Sequence, residues 1–206
     1  MRRYTYLYQN KKITMRIFNI IVLVAVLAIT SCSDSQKAGD KKNNTETGEK
    51  ENRVSPAETA TATIGENIVT INYGSPRVKD RTIWGELVPY NEVWRAGANE
   101  ATTISFTQDV MINGQLLKKD TYAFFAIPTA TDWTIIFNLD EKQWGAFKYN
   151  ETDDALRFTV TPVMTDAFAE NLTFNVSPNA VGDGGIIHLS WEKLTLQFEF
   201  TNIPEK

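Results

Sequence analysis

The sequence predicts an all-β domain: a single antiparallel β-sandwich, jelly-roll-like, of about nine or ten strands with one long ordered loop. Three observations predict it. From Asn67 onward, apolar side chains recur at every second residue in short runs, the period of a half-buried strand. Turn residues separate the runs. No stretch beyond the N-terminal region sustains a helical period over three turns.

The elements follow in order. Val69, Ile71 and Tyr73 alternate with Ile68, Thr70 and Asn72, and Ile104 and Phe106 with Thr103 and Ser105. Val110 to Ile112 leads into Asn113-Gly114 and out through Gln115 to Leu117. Asn-Gly between apolar runs specifies a type I′ hairpin, whose central residues both need positive φ. Thr121 to Ile127 is a dense aromatic strand that Pro128 ends. Trp133, Ile135, Phe137 and Leu139 share one face of the next strand. Leu156, Phe158 and Val160 share another, as do Leu172, Phe174 and Val176. Ile187, Leu189 and Trp191 alternate with His188 and Ser190; Leu194, Leu196, Phe198 and Phe200 alternate with Thr195, Gln197 and Glu199. There is no internal repeat.

The N-terminal region reads as an export signal. Residues 1–32 hold five of the 21 basic residues and none of the 25 acidic ones, so the remainder carries a net charge of −9. Arg2, Arg3, Lys11, Lys12 and Arg16 precede an apolar run from Ile17 to Ile29 that is too short to span a bilayer as a helix. Ile29-Thr30-Ser31-Cys32 has the layout of a lipobox, which makes Cys32 the expected lipidation site and a membrane the expected partner, through the N-terminal lipid. Met15 is an alternative start. Ser33 in place of aspartate after the cysteine favours the outer membrane, with the leaflet left open. Several acyl chains anchor firmly where one alone binds marginally. Residues 33–58 are charged throughout, lack aromatics, and have only Ala38, Val54 and Ala57 as apolar side chains, the composition of a disordered tether. Residues 59–206 are then the folded domain, long enough for one core.

Composition excludes several functions. A net negative mature chain argues against nucleic acid as a partner. Cys32, the sole cysteine, leaves none for a disulfide or a thiol nucleophile. His188, the sole histidine, reads as a surface or rim residue, and one histidine cannot build a multi-histidine zinc site. No Walker loop or dinucleotide-binding glycine pattern is present, so no cofactor or metal is expected. Asn150 to Asp154 reads as a solvated acidic turn, Gly182 to Gly185 as a flexible one, and Trp144-Gly145 as core packing beside a bulge on a strand.

Tyr73 to Thr102 breaks the alternation. It is rich in aromatics, arginines, glycines and prolines, and a long irregular segment in a compact domain is usually functional or disordered. Its four aromatics favour an ordered lid with a short helical turn near Pro89 to Val93. Trp84, Tyr90, Trp94, Arg95, Asn99 and Glu100 are the candidate ligand-binding residues; catalytic residues are not identifiable. Two readings stay open. In one, Arg95 pairs with Glu100 or Glu86, Asn99 closes a turn and Trp94 is core, because buried charges need partners. In the other, the same residues line a pocket floored by Trp84, Tyr90 and Trp94, where arginine could grip an anion and aromatic faces could stack on a small molecule, a glycan or a protein ligand.

This segment resembles the uncharacterised bacterial exported proteins of domain-of-unknown-function family 2911 (DUF2911). The carrying residues are Tyr73-Gly74-Ser75-Pro76, Arg81 with Trp84-Gly85, Val88-Pro89-Tyr90 and Val93 to Thr102. Gly114, Thr121-Tyr122, Ile127-Pro128, Trp133, Gln143-Trp144-Gly145 and Leu156-Arg157 extend it over residues 65–200. Ser75 stands where the family pattern has arginine and Asp120 where it has glycine; Arg77 is the nearest arginine to take the first role. The resemblance implies export and fold, without an activity. The leading expectation is a non-catalytic ligand-binding or interaction domain of the envelope. The alternative is an envelope hydrolase acting on glycans through Glu100 and a second carboxylate.

Overall fold

Ten strands in two antiparallel sheets make up the domain in the computed structural model, which describes residues 53–204. Cys32, the signal segment and most of the expected tether lie outside the described residues. The strands are β1 (Ala57–Ile64), β2 (Asn67–Gly74), β3 (Thr102–Phe106), β4 (Val110–Ile112) and β5 (Gln115–Leu117). They continue as β6 (Thr121–Ile127), β7 (Trp133–Asn138), β8 (Asp154–Val160), β9 (Val163–Pro178) and β10 (Gly184–Asn202). One sheet has six strands in the order β1-β2-β3-β6-β7-β8; the other has four, β5-β4-β10-β9. Together they form a β-sandwich.

The core is the two inner faces. Ile71, Ile104 and Phe137 from the larger sheet are fully buried against Leu189, Leu196 and Phe200 from the smaller. Phe198 of β10 stacks with Phe124 at a ring separation of 6.0 Å and meets Phe158 edge-on at 5.3 Å. Each such side chain contributes roughly 1.5–3 kcal/mol by burial. The Asn-Gly hairpin forms where expected, with Asn113 at φ 48° and Gly114 at φ 73°.

Several local expectations need revising. β1 carries almost no hydrophobic signal, since its inward positions include Ala60 and Ala62 and its outward ones Thr59, Thr61 and Thr63; pairing with β2 makes it a strand. It starts at Ala57, inside the stretch assigned to the tether, and the Ser75 N–H donates to the Pro56 carbonyl at 2.8 Å. Leu139 is exposed, because a register shift after Phe137 ends β7 at Asn138. Pro89 to Val93 forms a turn with Asn91 at φ 65°, and no helix. The acidic stretch is only partly solvated. Asn150 caps a 3₁₀ turn over Glu151–Asp153, while the Asp154 carboxylate is buried and accepts from Tyr149 at 2.7 Å and from Asn138 at 2.8 Å.

β6 reads as continuously apolar because both its faces are covered. Tyr122, Phe124 and Ala126 point into the sandwich. Ala123 and Phe125 point outward, where Ala101 and Ile136 join them under Val93, Ala146 and Tyr149. The connection between β7 and β8 thus roofs part of the larger sheet's outer face. Over β1 to β3 the outer face is a neutral field of Thr59, Thr61, Thr70, Asn72, Thr103 and Ser105.

Gly74 ends β2 where the chain passes against the long loop: a Cβ there would lie 2.1 Å from the Ala98 carbonyl oxygen. At Gly114 nothing lies within 4 Å, so only its positive φ matters. Gly114→Ala should therefore cost about 1–2 kcal/mol, and Gly74→Ala clearly more, on the order of 3 kcal/mol. Urea midpoints of the two variants check this; equal losses would contradict the close approach.

Candidate functional site

The long loop, residues 75–101, is built around its tryptophans. Trp84 meets Trp133 of β7 at 4.8 Å and Trp191 of β10 at 5.8 Å. Trp94 stacks on Trp191 at 6.1 Å with planes 13° apart and meets Trp84 at 5.7 Å. Two rings from the loop thus sit between one ring from each sheet. The backbone locks them there: Trp94 and Ala126 exchange hydrogen bonds of 2.8 and 2.9 Å, extending β6 by one antiparallel bridge.

After Trp94 the chain turns sharply. Ala96 at φ 49° and Asn99 at φ 66° both occupy the left-handed region. Asparagine tolerates it; alanine is strained there by roughly 1–2 kcal/mol. The Thr102 hydroxyl donates to the Ala96 carbonyl at 3.0 Å, and Ala98 N–H to the Gly74 carbonyl at 3.2 Å. A second antiparallel bridge, Glu100 with Trp144, closes the turn, with Ala101 N–H donating to the Gln143 carbonyl and Gly145 N–H to the Asn99 carbonyl, both at 3.0 Å.

This geometry separates the six candidate residues. Trp94 is core, and Trp84 packs half-buried against it. Tyr90 is exposed, its ring lying over Gly85. Asn99 works in the turn, its amide donating to the Ser55 carbonyl at 3.1 Å. Arg95 and Glu100 border different cavities. The Arg95–carboxylate pair of the first reading does not form among the described residues. Glu100 pairs instead with Arg53, whose Nη1 lies 2.7 and 2.6 Å from its two oxygens. Arg95 Nε is buried with no hydrogen-bond acceptor among the described residues. Burial pushes the Arg95 guanidinium below its ordinary value, the direction expected of a cation withdrawn from water.

Glu100 borders the larger cavity, an open cleft of about 550 Å³ on the outer face of β1 to β3. Thr59, Asn72 and Thr103 form its floor, the Thr59 hydroxyl donating to Asn72 Oδ1 at 2.8 Å. Trp144 stands at its edge, 57% exposed, so this residue is not the core element its sequence context suggested. Gln143 beside it is 5% exposed; its Nε2 donates to the Asp140 carbonyl at 2.7 Å, and its Oε1 has no donor among the described residues. The wall carrying both is held by hydrogen bonds to β8 and within the connection. Burial, then the hydrogen bond to Asp154, push the Tyr149 hydroxyl far above its ordinary value, so it stays a proton donor pinning this connection to β8. Tyr73 also borders the cleft, and burial pushes its hydroxyl up as well.

Thr59, Asn72 and Thr103 carry no sequence signal as site residues, since only strand pairing aligns them. Arg53 lay in the supposed tether. Trp144 carried a usable signal, an aromatic next to glycine in a polar stretch, but it was read as packing. Among the described residues no group of three or more His, Cys, Asp or Glu is placed to hold a metal ion.

The family model described as Protein of unknown function (DUF2911) matches residues 55–200. The chain belongs to this family. The match runs from just before β1 into β10 and includes both the long loop and the connection bearing Trp144. No curated protein and no solved structure matches the chain.

Because Arg95 has no carboxylate partner among the described residues, removing its charge should not weaken the fold. Arg95→Met should leave stability unchanged or raise it by about 1 kcal/mol. Thermal denaturation checks this. A loss above roughly 2 kcal/mol would show that the guanidinium has a structural partner.

Proposed function

We propose that the protein is a non-catalytic binding module of the bacterial envelope. In this reading it is held to a membrane by lipid on Cys32 and takes a hydroxyl-rich ligand, a glycan segment, in the cleft over β1 to β3. One observation carries the ligand class. The cleft joins a floor of neutral hydroxyl and amide groups to a half-exposed indole. Sugar hydroxyls both donate and accept, which suits Thr59, Asn72 and Thr103. The apolar face of a sugar ring suits Trp144. The volume falls in the usual range of small-ligand sites.

A hydrolase is the second reading, because Glu58, Glu100 and Glu141 all border the same cleft. Glycoside hydrolysis needs one carboxyl group to donate a proton. Glu100 is poorly suited to that part, since both its oxygens already accept from Arg53 Nη1.

Titration calorimetry of the full chain with neutral and amino-sugar oligosaccharides tests the binding reading. Binding without release of new reducing ends is expected. Trp144→Ala should weaken it roughly tenfold, as losing one stacked ring costs on the order of 1–1.5 kcal/mol. If no oligosaccharide binds, or the variant binds equally well, the glycan assignment falls; sustained turnover would establish the hydrolase instead.

Anchoring rests on the lipobox-like segment and the solitary cysteine. The described domain begins at Arg53, which borders the cleft. Labelled fatty acid should be incorporated in cells and lost in Cys32→Ser. Equal labelling of the variant, or none in either, would overturn the anchor.

A further inference from the structure

The smaller cavity, about 230 Å³, has a different chemistry. Four cationic side chains border it, Arg77, Lys79, Arg81 and Arg95, and no acidic residue does. None of the four makes an ion pair among the described residues. Neutral groups position two of them. Arg77 Nε donates to Asn171 Oδ1 at 3.2 Å, and Arg81 donates through Nε to the Val78 carbonyl at 3.0 Å and through Nη2 to the Arg77 carbonyl at 2.5 Å. Glu170 of β9 accepts from the Lys79 backbone N–H at 3.2 Å, and among the described residues it forms no ion pair with the Lys79 ammonium. Trp191 borders the same cavity; it is 1% exposed and its indole N–H has no acceptor among the described residues.

Four like charges around one small space repel each other, and they do so in a chain whose net charge is −4. General basicity therefore does not explain them. An unpaired, half-buried guanidinium adds a desolvation cost that no neighbour offsets. An anion in the cavity would remove both costs at once. Its charge should exceed one, since a single carboxylate would balance only one of the four cations. Its shape should present several oxygens, to meet donors from more than one of the arginines that line the cavity. A phosphate group meets both conditions, and arginine forks match its oxygens.

We propose that this cavity is a binding site for a tetrahedral dianionic oxyanion, a phosphate group either free or borne on a larger molecule. Arg95 grips it at depth, and Arg77, Lys79 and Arg81 draw it in from solvent. The site is separate from the glycan cleft and does not depend on it.

Titration of the full chain tests this with inorganic phosphate, with glycerol 1-phosphate, and with phosphatidic acid vesicles against phosphatidylcholine vesicles, all at matched ionic strength in chloride. At least one phosphate species should bind. Preference for the inorganic ion would mark a free-ion site, preference for the monoester a carried phosphate, and preference for the vesicles a headgroup. Arg95→Met should weaken binding about tenfold or more. So should Arg77→Gln with Lys79→Gln, both at exposed positions where folding is not at stake. Trp144→Ala, at the other cleft, should leave it unchanged. The proposal is overturned if no phosphate species binds above the chloride control. It is also overturned if the exposed double variant binds like the parent, or if Trp144→Ala abolishes phosphate binding.

Discussion

Four tryptophans from three parts of the chain meet between the sheets, and the placement of every candidate residue depends on that meeting. Trp133 and Trp191 arrive on strands of opposite sheets; Trp84 and Trp94 arrive on the loop. Large rings in edge and stacked contact gain both area burial and roughly 0.5–1.5 kcal/mol per pair beyond it. That is enough to order a long segment with no ladder of its own. Once Trp94 is seated and bridged to Ala126, the next six residues have little freedom. The turn through Ala96 and Asn99 sends Arg95 to one cavity and Glu100 to the other. The cluster does carry a cost. The indole N–H groups of Trp84 and Trp191 are buried without acceptors among the described residues.

The pairing of β2 with the loop shows how backbone contact limits sequence. Gly74 and Gly97 lie where the end of β2 and the loop nearly touch: a Cβ on Gly97 would come 3.0 Å from the Gly74 carbonyl oxygen. Ser75 follows, buried, with its hydroxyl donating to the Leu172 carbonyl at 2.7 Å. An arginine at that place would need to find another path out. The loop is thus tied to β2, β6, β9 and the Trp144 connection at once.

Strand alternation made the sandwich legible in the sequence, and with it nearly all of the core. Periodicity reports burial on one face, and Val69, Ile71, Leu189 and Phe200 obey it. It failed where burial was absent or doubled. β1 buries little beyond alanines, so its strand character comes from pairing with β2, a non-local fact. Glu100 and Arg95 were found as chemistry-bearing residues because charged side chains in an apolar stretch stand out. Their separation was not legible, because it follows from two left-handed residues in a turn that sequence does not specify, one of them the unexpected Ala96. The cleft floor was invisible for a related reason. Thr59, Asn72 and Thr103 lie far apart in the chain, and only the β1-β2-β3 register sets them side by side.

Electrostatics then explains why the two cavities should be read as different sites. A single mixed pocket would let Arg95 and Glu100 neutralise one another, and the site would be a salt bridge. Arg53, from the segment entering the domain, takes Glu100 instead. Val54 and Ser55 of the same segment border the cationic cavity, while Arg53 and Ala57 border the larger cleft. Residues 53–57 therefore touch both sites, and Ser55 also holds Asn99 in the turn between them. The entry segment thus lies between the two cavities and contributes to the lining of both, a placement that composition alone does not specify.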